Sequence, residues 1–256
     1  MLLVLDVGNT NVVMGVYDRD SLLADWRLSS GRESTADEFS VVCRALFTEA
    51  GIRLEELSHT IISCVVPPMR RTLEGFCARY LGHAPRWVDA RMDLGMPILY
   101  DNPMEVGADR LVNAVAAWEK YRSPLIIIDF GTATTFDCVS PEGAYLGGAI
   151  SPGIGISAEA LYARASKLPR VDLFDPPRRA IAKNTAESMQ AGIILGYASL
   201  VDGMTARIAG EMAPAEPRVV ATGGLAPLIA QVCSCIEAVE PHLTLEGLRL
   251  IHERLG

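Results

Sequence analysis

The sequence lacks several features that would each have pointed somewhere definite. It has no basic excess: 23 Lys and Arg stand against 31 Asp and Glu, a net charge of -8. That argues against nucleic acid as a partner, because neutralising backbone phosphates takes clustered cations. It has no long apolar run: each is broken by Asp6, Asp129 or a glycine well short of the roughly eighteen residues a membrane span requires. The opening "MLLVLDVG" carries neither a basic leader nor a small-residue cleavage site, so it does not read as a secretory signal. Metal-type spacing is absent too. Of six cysteines only Cys233 and Cys235 are close, and His59, His83, His242 and His252 show no ligand spacing. Free thiols in a reducing cytoplasm are expected. Finally, there is no G-x-x-x-x-G-K-[ST], and "GGAISPGIG" does not supply G-x-G-x-x-G between a strand and a helix. A dinucleotide oxidoreductase is correspondingly disfavoured.

What is present is a globular composition and a repeat. Half the residues are apolar and 21% are charged, in a chain long enough for one large domain or two modest ones. The stretch Val4-Leu5-Asp6-Val7-Gly8-Asn9-Thr10 returns as Ile127-Ile128-Asp129-Phe130-Gly131-Thr132-Ala133, at an offset of 129 − 6 = 123 residues. Each copy runs into a second β-rich segment, Asn11 to Tyr17 and Thr134 to Val139, and then a polar turn, which reads as a β-hairpin. A period this long is no solenoid. It predicts two similar halves, residues 1–115 and 116–256, facing each other across a cleft. Helical spacing follows each hairpin. Thr35 to Glu38 has the form of a capping box ahead of Phe39, Val42, Leu46 and Phe47, and helices are expected over 69–81, 107–121, 187–212 (one or two in tandem) and 244–255. Strands are expected at His59 to Pro67, "RWVDA" and "PRVVATGG". Alternation of this kind makes the class α/β. The stretch Phe174 to Thr185, "FDPPRRAIAKNT", reads as the most flexible.

The repeat carries chemistry. An aspartate ending a buried strand is costly unless charge or hydrogen bonds meet it, and a turn-capping role accounts for one such residue more easily than for two in register. If Asp6 and Asp129 look into one cleft, their mutual repulsion calls for a cation. Oxygen-only ligands suit hard ions such as magnesium or potassium, and the adjacent glycines and small hydroxyl residues let backbone N–H groups approach phosphates. The paired glycines of "ATGGLAP", Ala221 to Pro227, either let a flat base lie against the backbone or form a plain tight turn.

Five motifs in order, "DVGNTN", "GADR" (Gly107–Arg110), "DFGTATT" (Asp129–Thr135), "GGAISPG" (Gly147–Gly153) and "KNTAESMQAG" (Lys183–Gly192), closely resemble those of type III pantothenate kinases. This family belongs to the acetate and sugar kinase/Hsp70/actin superfamily. The resemblance implies two ribonuclease-H-like halves, each a mixed β-sheet with helices, around a central nucleotide cleft, and phosphorylation of pantothenate from ATP as the first committed step of coenzyme A synthesis. It implies Asp109 as general base, with Arg110, Gly107, Ala108 and Tyr100 at the substrate. It also implies that Asp6 holds Mg2+ while Val7, Gly8, Asn9, Thr10, Asn11, Val12 and Val13 line the nucleotide, helped by Thr132. Asp129 would bind the monovalent cation, K+ or NH4+, and Thr185 would reach pantothenate across a homodimer interface. Local alternatives stand beside these roles. Asp109 is also an acidic first-turn residue complementing a helix dipole, Arg110 a solvated helix arginine, Tyr100 a packed tyrosine, and Asn184 with Glu187 a capping box. At the level of function, the rivals are another small-molecule kinase of the superfamily and a non-enzymatic ATP-binding regulator.

Overall fold

The opening apolar run forms β1 (Leu2–Val7) and returns antiparallel as β2 (Asn11–Asp18), followed by β3 (Ser21–Ser29). This is a computed structural model describing residues 1–173 and 175–256. Helix α1 (Ala36–Glu49) starts on the full Thr35–Glu38 capping box, and β4 (His59–Cys64) then pairs parallel with β1. Helix α2 (Met69–Phe76), continued by a π-helical turn at Cys77–Leu81, leads to the two-residue β5 (Arg86–Trp87). The sheet order is β3-β2-β1-β4-β5.

Helix α3 (Ala108–Tyr121) precedes the second hairpin, β6 (Leu125–Phe130) and β7 (Ala133–Val139), with β8 (Tyr145–Pro152) beyond it. Helices α4 (Ile154–Arg164) and α5 (Thr185–Glu211) follow; α5 is one uninterrupted helix of 27 residues. Strand β9 (Arg218–Thr222), the short α6 (Ala226–Ile229), β10 (Ala238–Val239) and α7 (Leu243–Arg254) complete the chain. This sheet has the order β8-β7-β6-β9-β10, the same antiparallel-then-parallel plan as the first. The repeat in sequence is thus a repeat in topology.

Two compact units divide the chain. One comprises Met1–Met96, Asp101–Ala116 and Thr244–Gly256; the other comprises Pro97–Tyr100 and Ala117–Leu243. A single cut after residue 115 differs from this in leaving α7 with the second half and Pro97–Tyr100 with the first. The first unit packs Leu3, Leu5 and Val7 of β1 against Phe39, Cys43 and Phe47 of α1 and Leu73 and Phe76 of α2. The opposite face of its sheet receives α7: a methyl on Gly15 would stand 3.1 Å from Leu245, and one on Gly247 would strike the Val112 carbonyl of α3. Arg254 Nη1 donates to the Leu94 carbonyl (2.6 Å) and Thr244 Oγ1 to Asn113 Oδ1 (2.7 Å), fastening the helix. In the second unit Ile126, Ile128, Phe130 and Phe136 pack with Ile194, Tyr197 and Val201 of α5. The stretch expected to be flexible begins on Phe174, outside the described residues; residues 175–184 form no helix or strand, and Thr185 begins α5.

Candidate active site

In the first hairpin Asp6 is half-buried near the end of β1, flanked by Val13 of β2 and Ser63 of β4. The turn after it is closed by its own backbone: Gly8 N–H donates to the Asn11 carbonyl at 2.9 Å. A loop beyond β3 supports it from outside. Ser30 Oγ donates to the Gly8 carbonyl (2.5 Å), Ser30 N–H to the Thr10 carbonyl (2.9 Å), and Arg32 Nη2 to Asn9 Oδ1 (2.9 Å). Asn9 and Thr10 are exposed and Asn11 and Val13 half-buried, whereas Val7 and Val12 are core side chains that offer a ligand only their backbone. Neither Ser30 nor Arg32 is legible in the sequence as part of this turn, since the contacts span about twenty residues of chain.

The second hairpin repeats the arrangement with one change. Asp129 is half-buried and opposed by Thr135 of β7 and Thr222 of β9, but the turn is a residue shorter, with Gly131 N–H donating to the Ala133 carbonyl (3.1 Å). Asp6 pairs with Val13 and Asp129 with Thr135, so β7 follows β2 at 135 − 13 = 122 residues, not 123. The glycines of two downstream motifs seat against this turn. Gly153 N–H donates to the Thr132 carbonyl (3.1 Å), and any side chain there would strike that carbonyl. Gly223, at φ +91°, lies where a Cβ would come within 2.5 Å of Asp129 Oδ1. Close approach to the Asp129 turn, rather than loop flexibility, is what these positions require. Thr132 itself is exposed.

The "GADR" motif opens α3. Asp109 Oδ1 accepts from the Arg110 backbone N–H at 2.8 Å, and a methyl on Gly107 would approach that same oxygen to 2.5 Å. Gly107 therefore leaves the room in which the Asp109 carboxylate sits. Gly107, Ala108 and Asp109 are half-buried, while Arg110 is only 7% exposed, which is not the setting of a solvated helix arginine. Tyr100, in the other unit, rests its ring 3.2 Å from where a Gly147 side chain would begin and 6.4 Å from the Tyr145 ring.

Thr185 is the exposed first residue of α5. Asn184 Oδ1 caps the helix by accepting from Glu187 N–H (2.9 Å). Thr185 lines a groove of about 680 Å3 between α4 and α5, whose walls include Leu161, Met189, Ile193, Tyr197 and Leu200.

Among the described residues no three His, Cys, Asp or Glu side chains cluster as a metal cage. Single carboxylates beside hydroxyls and backbone fit instead a hard cation shared with phosphate oxygens, the usual arrangement for Mg2+. Near Asp6, burial pushes the Cys64 thiol up, against the lowering influence of the Val66 backbone and Arg70, and the Asp6 charge adds to the rise. Asp137 escapes the motif reading altogether: it is fully buried, accepting from Thr135 Oγ1 (2.8 Å) and Tyr145 Oη (2.7 Å). Its signal was available, as a lone acid inside the apolar strand "TFDCV" needs partners.

Comparison with known proteins bears on the family and the fold. Residues 2–207 match the model of the family described as type III pantothenate kinase. The chain is 65% identical over 256 residues to a type III pantothenate kinase of Desulfatibacillum aliphaticivorans, covering 100% of this chain and 99% of the other. It is 56% identical to that of Desulforapulum autotrophicum, covering 99% and 97%. Among solved structures, a conserved putative Baf family transcriptional activator from Campylobacter jejuni superposes with a TM-score of 0.61 at 16% identity, covering 99% and 98%. A putative 2-dehydro-3-deoxygalactonokinase from Sinorhizobium meliloti does so at 0.59 and 15%, covering 100% and 97%; these two likenesses bear on the fold. Two mixed sheets of one topology, the acid-tipped hairpins and full-length relatedness lead to one conclusion: the chain belongs to the type III pantothenate kinase family.

Proposed function

We propose that this protein transfers the γ-phosphoryl group of ATP to the primary hydroxyl of pantothenate, giving ADP and 4′-phosphopantothenate, the first committed step of coenzyme A synthesis. The observation that carries the reading is the acid-tipped hairpin built twice, together with a helix that opens on Asp109 in a space kept clear by Gly107. Phosphoryl transfer asks the protein for position and charge more than for covalent chemistry. Each hairpin, with its acid, glycine and small hydroxyl residues, offers groups of that kind. In this reading Asp109 takes the hydroxyl proton as the bond to phosphorus forms. Arg110 grips the pantothenate carboxylate, and Gly107, Ala108 and Tyr100 shape the pocket around the rest. Asn9, Thr10, Asn11, Val13 and Thr132, with the backbone at Val7, Gly8 and Val12, follow the phosphates. Asp6 holds Mg2+, and Asp129, paired across the sheet with Thr135 and Thr222, holds K+ or NH4+. When bound, these cations offset phosphate charge.

The enzyme acts as a homodimer in this reading, Thr185 reaching the pantothenate of the other subunit. Supporting this, α4 and α5 leave Ile156, Leu161, Tyr162 and Leu200 exposed, and Leu161 and Leu200 line the apolar groove. Six free cysteines and the absence, among the described residues, of any helix long and apolar enough to cross a membrane support action in the cytoplasm. A coupled ADP-release assay tests the function. Release that depends on pantothenate supports it, release only with sugars or other acids points to a different small-molecule kinase, and no release at all points to a binding protein.

A further inference from the structure

Asp137 is a wholly buried carboxylate in the middle of a strand. The fold itself does not ask for it. At the matching position of the first hairpin, opposite Val4 as Asp137 is opposite Ile127, stands Gly15, filled in by Leu22 and Leu245. Burying a charge costs several kcal/mol unless hydrogen bonds offset it, so its presence in one copy only calls for a local cause. That cause lies in what its two oxygens hold.

Oδ2 accepts from Thr135 Oγ1 at 2.8 Å, and Thr135 is the direct cross-strand neighbour of Asp129. Directly opposed side chains of antiparallel strands stand about 5 Å apart at Cβ and share a face. Oδ1 accepts from Tyr145 Oη at 2.7 Å. Tyr145 in turn anchors the segment leading into Tyr100: its N–H donates to the Pro97 carbonyl and its carbonyl accepts from Leu99 N–H, both at 2.8 Å, while its ring faces that of Tyr100. Charge-assisted O–H···O⁻ bonds are the strong kind, and they fix both hydroxyl rotors.

We propose that Asp137 is a positioning residue that sets two groups at once: the surroundings of Asp129 through Thr135, and Tyr100 through Tyr145. This rests on the reading above, in which Asp129 binds the monovalent cation and Tyr100 meets pantothenate. The two halves of the task are separable by substitution. Tyr145→Phe raises the pantothenate KM about tenfold and leaves cation preference alone; Thr135→Val does the reverse; Asp137→Asn does both. Cation preference is read without turnover, as the ratio of ATP Kd values measured calorimetrically in NaCl and in KCl, and thermal unfolding is recorded for each variant. If Asp137→Asn lowers the melting temperature while KM and the Kd ratio stay within about twofold of wild type, the residue is merely structural and the proposal falls. Should that variant fail to fold, Tyr145→Phe and Thr135→Val carry the test, and unchanged constants in both overturn it. A wild-type protein indifferent to potassium, or to pantothenate, overturns the parent reading instead, and does so before any variant is made.

Discussion

Replacing Asp109 by Asn separates the two roles open to this residue, because they predict effects of different size in different assays. As an acid in the first turn of α3, the carboxylate stabilises the positive end of the helix by about 0.3–1 kcal/mol. Asn keeps an oxygen at Oδ1, so the 2.8 Å bond from the Arg110 N–H survives and only the charge goes. For 256 residues a loss of ~1 kcal/mol moves Tm by about 2 °C. As the base for the pantothenate hydroxyl, its loss costs about 10²–10⁴ in rate, or ~3–5 kcal/mol of barrier. Asp109→Asn should therefore melt within about 2 °C of wild type, bind ATP unchanged in calorimetry, and turn over at about 1% or less of the wild-type rate, a threshold taken from the low end of that range. Gly107→Ala approaches the same group from outside. Its methyl, 2.5 Å from Asp109 Oδ1, must displace the carboxylate, and misplacement by about 1 Å can cost about a hundredfold. An Asp109→Asn variant retaining a tenth or more of wild-type kcat would refute the assignment, whatever its stability.

Three further outcomes are expected. Exchanging potassium for sodium should lower turnover sharply in wild type and leave Asp129→Asn, already slow, indifferent to the salt; equal wild-type rates in both salts would count against the Asp129 role. Leu200→Glu, placing a charge on the apolar α4–α5 groove, should convert a dimer to a monomer in size-exclusion light scattering and reduce pantothenate turnover through the loss of Thr185; an unchanged mass would show that the groove is not the interface. His252 is held below its ordinary pKa by burial first, then by Arg86 and His59. The unfolded chain therefore takes up this proton near pH 6.5 while the folded chain stays neutral, so its stability contribution is complete above pH 6.5 and drains away below it. His252→Gln should flatten the fall in urea midpoint between about pH 7 and 5.5, and an identical fall in both proteins would remove His252 as the cause.

The extent to which the sequence disclosed this architecture depended on how local the determining physics was. The capping box at Thr35–Glu38 and the strand ends at Asp6 and Asp129 are set by residues a few positions apart, and all three were visible. The repeat was visible in its first strand and shifted in its second, because Gly131–Thr132 turns in one residue fewer than Gly8–Thr10 and moves the alignment from 123 to 122. Strand β8 is not legible in the sequence because "YLGGAISP" has the composition of a loop; Gly148 is there because the Phe136 carbonyl occupies the place of its Cβ. Helix α4 is not legible either, because Ile154 alone is buried while Ile156, Leu161 and Tyr162 are exposed and form no buried stripe. In the site, Asp109 and Thr185 came from motifs, whereas Ser30, Arg32 and Tyr145 owe their places to partners eight to twenty-three residues away.

Helix α7 has a bearing on the order in which this polypeptide matures on the ribosome. Its Leu245 fills the sheet face over Gly15, its Gly247 abuts Val112, and Arg86 Nη2 donates to the Gly256 carbonyl. A nascent chain that has reached Leu243 has already delivered all of the second unit, but the N-terminal sheet, although made first, still waits for the helix that packs over Gly15. Synthesis and completion thus run in opposite directions: the sheet translated earliest receives its last helix only when the final residues have been made.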